Sequence, residues 1–421
     1  MADRRAATLA ELDLAAWPST EEEVWRYSRI DEFDLDRYRP AAVTTDIPTA
    51  ARAVLDRLPD RAGAVIVNNG MVVHLELDDA LVSKGVRLGP LDRLDDGAAL
   101  ATSVSAEPTD FFAALSAAFS PEPLGLVVPA GVAIAEPIVV VDWISAEGDD
   151  PLMTFPRLLV RAEADSEVRI VDWHGSDDVD AMALPVIELD AARSARIRYV
   201  NVQDRGPRVW QVTSQVSRAD ADASVVAAQA ALGGDYARTR ADCRLVGRGA
   251  SGTLTAAYFG EREQMLDFRT FQDHAAPDTT SNLLFKGAVG GSSRSVYTGL
   301  IRVRKDARGT NAFQTNRNLK LSDSAWAESV PNLEIENNDV RCSHASTVGP
   351  VDEDQRFYLE SRGVPTAVAE RLIVAGFFAE VLEQLPVAQL AEVIQDKIDE
   401  RLDHAALGLA APGPTPEGTD D

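Results

Sequence analysis

The central part of the chain, from about Leu124 to Val348, consists of short runs in which apolar and polar residues alternate with a period of two. Such alternation is typical of β-strands whose two faces meet different surroundings. No helical period interrupts it, and we therefore predict a region built almost wholly from strands. The clearest runs are Val209–Gln215, Thr253–Tyr258 and Leu266–Gln272.

Turn residues separate these runs at regular intervals. One flat antiparallel sheet with so many strands would curl or split. A β-sandwich is one solution, and a β-solenoid, in which each coil buries its apolar face against its neighbours, is the other. No strict hexapeptide or nonapeptide repeat decides between them. The turns fall 13 to 16 residues apart, near Gly233, Gly247, Gly260, His274, Gly290 and Asp306.

The residues before the strand-rich part favour helices and one hairpin. Ser19 stands three residues before Glu22, which is the spacing of a capping box and predicts a helix to about Ile30. Two short apolar runs flank the turn Asn68-Asn69-Gly70 and predict a β-hairpin. A second helix is predicted from Thr109 to Phe119.

The pattern returns to helix after residue 350, with Thr366 as the predicted N-cap of a helix that ends before Pro386. This helix carries two apolar stripes, whereas one stripe suffices to pack a helix on its own domain. The second stripe therefore indicates either burial on two sides or a surface for a partner. The stripes are Val368, Leu372, Ala375, Ala379 and Leu382, and Ile373, Phe377 and Val381.

These patterns divide the chain into four regions. We predict an N-terminal α/β region at 1–120, a strand-rich core at 121–350 and a C-terminal helical region at 351–404. The tail at 405–421 is rich in Pro, Gly and Ala, and we expect it to be disordered.

Charge and composition narrow the classes of function. The chain of 421 residues has a formal net charge of −26, which repels nucleic-acid backbones and anionic membrane surfaces. No apolar run approaches the roughly 20 residues of a membrane-spanning helix, and the N-terminus lacks the apolar segment of a signal peptide. We therefore expect a cytoplasmic protein that binds neither nucleic acid nor membranes.

Motifs of catalysis are absent, including the zinc-hydrolase, nucleophile-elbow and Walker A patterns. Cys342 and His344 lie two residues apart in a predicted strand, Asp339–Ser346, so their side chains share one face. A thiolate and an imidazole could both bind a soft metal. The alternative is a buried thiol beside a hydrogen-bonded histidine. The other cysteine, Cys243, is distant in sequence, so a metal at this face would need ligands from another chain.

Four segments of the sequence resemble the SufB/SufD family of iron–sulfur cluster assembly proteins. The most specific are EIENNDVRCSHASTVG (Glu334–Gly349) and DEDQRFYLESRGVP (Asp352–Pro365). Glu21–Asp31 and Ala375–Pro386 resemble the terminal regions of the family. The resemblance implies a right-handed parallel β-helix flanked by N-terminal and C-terminal helical regions, in agreement with the turn spacing. It further implies a scaffold subunit, not an enzyme, that pairs with a SufB-like paralogue and binds a SufC-like ATPase.

Within that family the sequence is more similar to the SufD branch. Aligned through Glu334, Asn337 and His344, the position of the essential SufB cysteine holds Ile335, which cannot ligate iron. The resemblance implies that His344 lies at the interface with SufB and helps cluster formation, with its metal shared with the partner chain. Cys342 is the weaker candidate for the same role.

The C-terminal helices dock the ATPase in this family. The resemblance therefore predicts docking at 351–404, and we expect no cofactor to bind stably to the chain alone, with an iron–sulfur cluster present only transiently in the complex. Alternatives are a homodimer, a purely structural subunit without metal contact, a SufB-like subunit that carries the cluster, and, more remotely, a β-helix polysaccharide lyase or hydrolase. The predicted docking residues are Leu372, Ile373, Phe377, Phe378 and Val381.

Overall fold

The strand-rich part of the chain folds into two stacked sheets in the computed structural model, which describes residues 8–10, 12, 17–58, 60–101, 104, 108–146, 148 and 150–408. The strands are β1 (Arg39–Pro40), β2 (Gly63–Asn68), β3 (Met71–Leu77), β4 (Arg87–Pro90), β5 (Leu124–Val128), β6 (Ile138–Ile144), β7 (Leu152–Thr154), β8 (Arg157–Ala162), β9 (Glu167–Ser176), β10 (Ala181–Ala183), β11 (Val186–Ala191), β12 (Arg196–Asp204), β13 (Val209–Ala219), β14 (Ser224–Ala231), β15 (Tyr236–Leu245), β16 (Ser251–Gly260), β17 (Met265–His274), β18 (Thr280–Val289), β19 (Arg294–Val303), β20 (Thr310–Lys320), β21 (Trp326–Ile335) and β22 (Val340–Pro350). The helices are α1 (Thr49–Asp56), α2 (Asp79–Ser83), α3 (Gly97–Leu100), α4 (Phe111–Phe119), α5 (Glu353–Ser361), α6 (Thr366–Leu382) and α7 (Gln389–Gly408).

Successive long strands alternate between the two sheets. Sheet A has the order β21-β19-β17-β15-β13-β11-β8-β5-β4, and sheet B has the order β22-β20-β18-β16-β14-β12-β9-β6-β2-β3. Neighbouring strands within the coils are parallel and in register, for example β16 with β18 and β17 with β19. The chain therefore forms a parallel β-helix of about seven turns flanked by helices, which confirms the solenoid and not the sandwich.

The register stacks equivalent side chains on top of one another inside the β-helix. One column on the inner face of sheet B contains Ala227, Leu254 and Leu283, each from the next coil. All three are buried in the main apolar core between the sheets. Because each coil covers the inward side chains of the one before it, only a terminal coil can leave its inward layer uncovered.

The N-terminal segment runs over the outer face of sheet A without forming the helix predicted from Ser19 to Ile30. The capping contact is present, since the amide of Ser19 donates to the Glu22 carboxylate at 3.1 Å, but successive turns follow it. Trp25 is buried, and the Arg238 guanidinium lies 4.0 Å from its ring centroid. The prediction was wrong because contacts with sheet A determine the path of this segment, and the local capping signal does not.

Two other N-terminal predictions are confirmed. Strands β2 and β3 form the expected hairpin, with Asn69 and Gly70 at the turn with positive φ angles of 52° and 84°. Strand β2 also pairs in parallel with β6, so the hairpin extends sheet B beyond the first coil. Helix α4 begins after Asp110, whose carboxylate accepts a hydrogen bond from the amide of Ala113 at 2.9 Å.

The C-terminal helices pack on the outer face of sheet B. Val374 and Phe378 of α6 and Ile394 of α7 are buried in one apolar cluster with side chains of that face. Thr366 is the first helical residue and not the predicted N-cap, a position that Pro365 occupies without a side-chain bond. Of the predicted disordered tail, residues 405–408 belong to α7, and the others lie outside the described residues.

Among the residues that the structure describes, no helix is both long enough and apolar enough to cross a lipid bilayer.

Candidate functional site at the open end of the β-helix

The last coil of the β-helix, formed by β21 and β22, has a free edge. Strand β21 pairs with β19 and strand β22 with β20, and each is the end strand of its sheet among the described residues. Both strands are long, with 10 and 11 residues. Long exposed edge strands readily pair with another chain, and proteins usually cover or shorten them.

The inward side chains of this coil form a layer that no further coil covers, which we call the open-end layer. The register defines it, because Ile335 stacks on Val303 and His344 stacks on Gln314, two buried positions of the preceding coil. The side chain of Ile335 is nevertheless 43% exposed. The open-end layer contains Ala327, Ser329, Pro331, Leu333 and Ile335 from β21, and Val340, Cys342, His344, Ser346 and Val348 from β22.

Cys342 and His344 lie in this layer on the same face of β22, as the alternation predicted, although the strand begins at Val340 and continues to Pro350. Cys342 is half-buried and packs beside the cluster of Ile301 and Val303. Burial raises the pKa of the Cys342 thiol, with a smaller opposite effect of a backbone hydrogen bond. His344 is exposed. The site therefore presents an accessible imidazole next to a thiol that is mostly protonated at neutral pH.

The opposite wall of the same coil is largely apolar. Leu333 and Ile335 on β21 are 38% and 43% exposed, respectively, and carry no metal-binding atoms. Ile335 occupies the position at which the family resemblance expects the essential SufB cysteine. The imidazole of His344 thus belongs to a layer whose other wall offers no nitrogen or sulfur ligand and, apart from the hydroxyl of Ser329, only hydrocarbon.

The second cysteine is remote from this layer. Cys243 lies in β15, three strands before β21 in the order of sheet A, which corresponds to roughly 14 Å along the β-helix. It is buried, and this burial raises the pKa of its thiol to about 11. The described residues contain no group of three or more His, Cys, Asp and Glu side chains that could hold a metal ion.

Some of the residues predicted for docking are buried, and the C-terminal helices expose other residues instead. Phe378 and Val381 are fully buried against sheet B, so they cannot contact a docked protein in this conformation. Ile373 and Phe377 are half-buried, and Leu372 is 52% exposed. The face of α6 that sheet B covers is neither of the two predicted stripes, which contribute only Val381 and Leu382 to it. Helical spacing could not show this, because the β-helix decides which side of α6 is covered.

Two large aromatic residues on α5 are exposed and were not among the residues predicted for docking. Phe357 and Tyr358 are 70% and 57% exposed, although both lie in the motif that carried the family resemblance. Val368 and Leu372 are exposed one turn apart on the adjacent helix α6. We call Phe357, Tyr358, Val368 and Leu372 the C-terminal apolar face. Exposed apolar groups of this size on neighbouring helices often mark a protein contact.

Comparison with known proteins gives consistent matches along the chain. The family described as SUF system FeS cluster assembly, SufBD core domain, matches residues 143–377. The chain is 34% identical over 319 residues to the iron-sulfur cluster assembly SufBD family protein Rv1462 of Mycobacterium tuberculosis, covering 74% of this chain and 77% of that protein. It is 30% identical over 349 residues to the SufBD family protein ML0594 of Mycobacterium leprae, covering 81% of this chain and 85% of that protein. It is 26% identical over 400 residues to Protein ABCI7, chloroplastic, of Arabidopsis thaliana, covering 91% of this chain and 82% of that protein.

Proposed function

This chain belongs to the SufBD family of iron–sulfur cluster assembly proteins, and on that premise we propose that it is a SufD-like scaffold subunit. Its open end pairs with a SufB-like protein, and its C-terminal apolar face binds a SufC-like ATPase. The cluster is cargo that forms between the paired chains. The chain itself performs no catalysis and holds no cofactor stably when alone, and it works in the cytoplasm.

The uncovered last coil is the observation that carries this proposal. The open-end layer continues the interior of the β-helix, yet Leu333, Ile335 and Val348 remain between 38% and 43% exposed. A partner that adds its own strands to β21 and β22 would pair both free edges and bury these side chains together. Association through this end therefore combines backbone hydrogen bonds with apolar burial.

The asymmetry of the open-end layer supports the SufD-like role over a SufB-like one. His344 can offer a neutral ring nitrogen to iron, whereas Ile335 offers nothing. An iron–sulfur cluster is usually held by four protein ligands, mainly Cys. Because Cys243 lies buried in a distant coil, this chain offers at most the thiol of Cys342 at the open end, and the other thiolates must come from the partner across the interface.

Docking of the ATPase rests on the C-terminal apolar face. This face lies on α5 and α6, whereas the open end lies on β21 and β22, so the two surfaces use different elements. One subunit can therefore contact both partners at once. The groove next to Val368 and Arg371, about 570 Å³ in volume, gives a docked side chain additional room.

Crossed variants in a co-purification experiment test both contacts. The full chain is co-expressed with the SufB-like and SufC-like proteins of the same organism and purified through a tag. Leu333→Glu should lose the SufB-like protein and keep the ATPase, while Leu372→Glu should do the reverse. Each variant is the matched control of the other. Retention of both partners by both variants, with wild-type yields, would contradict the proposed surfaces.

A third variant separates the SufD-like role from that of a purely structural subunit. His344→Ala should keep both partners but lower the iron and sulfide content of the purified complex, measured chemically and by visible absorption. Ser346→Ala, which changes another exposed residue of the open-end layer, is the control and should leave the content unchanged. Equal cluster content in wild type and His344→Ala would show that His344 has no part in assembly.

A further inference from the structure

A buried amide without a hydrogen-bond partner lies directly beneath His344. Gln314 is 1% exposed, and neither its Oε1 nor its Nε2 has a partner among the described residues. Strands β20 and β22 align Gln314 with His344 in register. Leaving both polar groups of an amide unpaired in the protein interior costs the desolvation free energy of each, so native proteins rarely retain such a group without a use for it.

The column of side chains that contains Gln314 is apolar in every preceding coil from β14 onward. The same inward position holds Ala227 in β14, Leu254 in β16 and Leu283 in β18. It then holds Gln314 in β20 and finally His344 in β22. From β14 onward, polar side chains therefore enter this column only in the last two layers, where the β-helix opens.

The opposite strand leaves room for this amide. A Cβ atom at Gly299 would lie 2.3 Å from the Nε2 of Gln314 and 2.3 Å from the hydroxyl of Tyr297. Glycine in the middle of a strand weakens it and often marks a close approach by another group. The close approach here is that of the Gln314 amide, which crosses the interior from sheet B to sheet A. The glycine in sheet A and the unpaired amide from sheet B each lower the stability of the fold. Together they place the amide under the histidine.

We propose that Gln314 is the positioning residue of His344, an inference that rests on the proposed role of His344. The Oε1 of Gln314 accepts a hydrogen bond from Nδ1–H of His344. Because His344 is exposed, its ring can turn onto the amide with little loss of packing. The bond fixes the tautomer, so that Nε2 keeps its lone pair and faces the open end. Ligating histidines commonly have their second nitrogen fixed in this way.

The histidine tautomer of the full-length chain, measured by NMR with ¹⁵N-labelled histidine, tests this bond without any cluster or partner. At pH 8.5 the imidazoles of ordinary histidines are neutral. His344 is assigned by the signal that disappears in His344→Ala. Wild type should show mainly the Nδ1–H form, whereas a solvated imidazole prefers Nε2–H. Gln314→Leu should return His344 to the Nε2–H form, and Gln314→Glu, which keeps an acceptor oxygen, should retain Nδ1–H.

Two further results separate positioning from a structural role. Gln314→Leu replaces a buried amide, whose Nε2 lacks a partner even when Oε1 accepts from His344, with an apolar group of similar size, so its Tm should equal or exceed that of wild type. In the purified complex the same variant should lower the cluster content while both partners remain bound. An Nε2–H form in wild type that Gln314→Leu leaves unchanged would overturn the inference. A complex without any cluster in wild type would instead contradict the proposed function and leave the tautomer result standing.

Discussion

Lys286 of sheet B and Glu380 of helix α6 form an ion pair although Lys286 itself is only 3% exposed. The ammonium group also donates to the carbonyl of Phe377 at 2.8 Å and lies 4.7 Å from the centre of its ring. These contacts hold helix α6 against sheet B of the β-helix. Helix α6 carries Val368 and Leu372 of the C-terminal apolar face.

Removing Glu380 should cost more than removing Lys286, because the two partners are buried to different extents. Glu380→Ala leaves a buried ammonium without its counterion and should lower the free energy of unfolding by about 2–3 kcal/mol. Lys286→Met leaves a carboxylate that is half exposed and can be solvated, with an expected loss of about 1–2 kcal/mol. Urea unfolding measures both, and the double variant should lose less than the sum. Equal losses of unfolding free energy in the two single variants would show that the burial of Lys286 does not determine the cost.

The same pair predicts a pH dependence. The hydrogen bond from Lys286 holds the pKa of Glu380 below its ordinary value. Glu380 then stabilises the fold above the unfolded-state pKa of about 4.3. This contribution disappears as the pH falls through the lower pKa of the folded state. The stability difference between wild type and Lys286→Met should shrink over this acidic range, and a constant difference would contradict the assignment.

His274 should make the β-helix sensitive to mildly acidic pH. Its ring is fully buried, with Nδ1 and Nε2 each 2.8 Å from the hydroxyl oxygens of Thr279 and Ser281. Burial lowers its pKa to about 4. Because the unfolded chain binds a proton near pH 6.5, up to roughly 3 kcal/mol of stability should be lost between pH 6.5 and 4.

Urea unfolding of wild type and His274→Gln at pH 7 and pH 4.5 checks this prediction. The variant should lose less stability than wild type between the two pH values, even if it is less stable at both. A parallel decrease in the two proteins would show that His274 does not titrate in the unfolding transition.

Many strands of the β-helix could be predicted from the sequence because each repeats the same alternation of inward and outward residues. Most inward residues, such as Leu254, are apolar and the turns recur at a nearly fixed interval, so alternation and turn spacing predict the strands. The choice of a β-helix over a sandwich came from the family resemblance. The segment around Trp25 does not follow this alternation. Its side chain packs under Arg238, more than two hundred residues away in sequence, and no local signal contains that contact.

The site was predictable only in part for the same reason. Alternation placed Cys342 and His344 on one face, and the family motif singled out the histidine. Gln314 carries no local signal, because its relation to His344 exists only once the register of β20 and β22 is known. Likewise, the family resemblance led to Phe378 as a docking residue, but the position of sheet B buries it.

Gly287 should tolerate no side chain, because a Cβ atom there would lie 1.8 Å from Cε2 of Tyr258. That ring is fully buried, and its hydroxyl donates to Asn318 at 2.6 Å, so it cannot move without breaking this bond. Gly287→Ala should lower the free energy of unfolding by about 2–3 kcal/mol. Gly349→Ala is the matched control, since no atom lies within 4 Å of its Cβ position, and it should change stability by less than about 0.5 kcal/mol.

The two cysteines should react with iodoacetamide at very different rates, because the thiolate must form and be accessible. Cys243 is buried with its pKa raised to about 11, whereas Cys342 is half-buried in the open-end layer. At pH 8 we expect native Cys342 to be modified at least tenfold faster, with Cys342→Ser showing almost no labelling. Because a partner chain at the open end would cover this layer, addition of the SufB-like protein should slow the labelling of Cys342 without affecting that of Cys243. Unchanged labelling in a complex that still forms would place the partner on another surface.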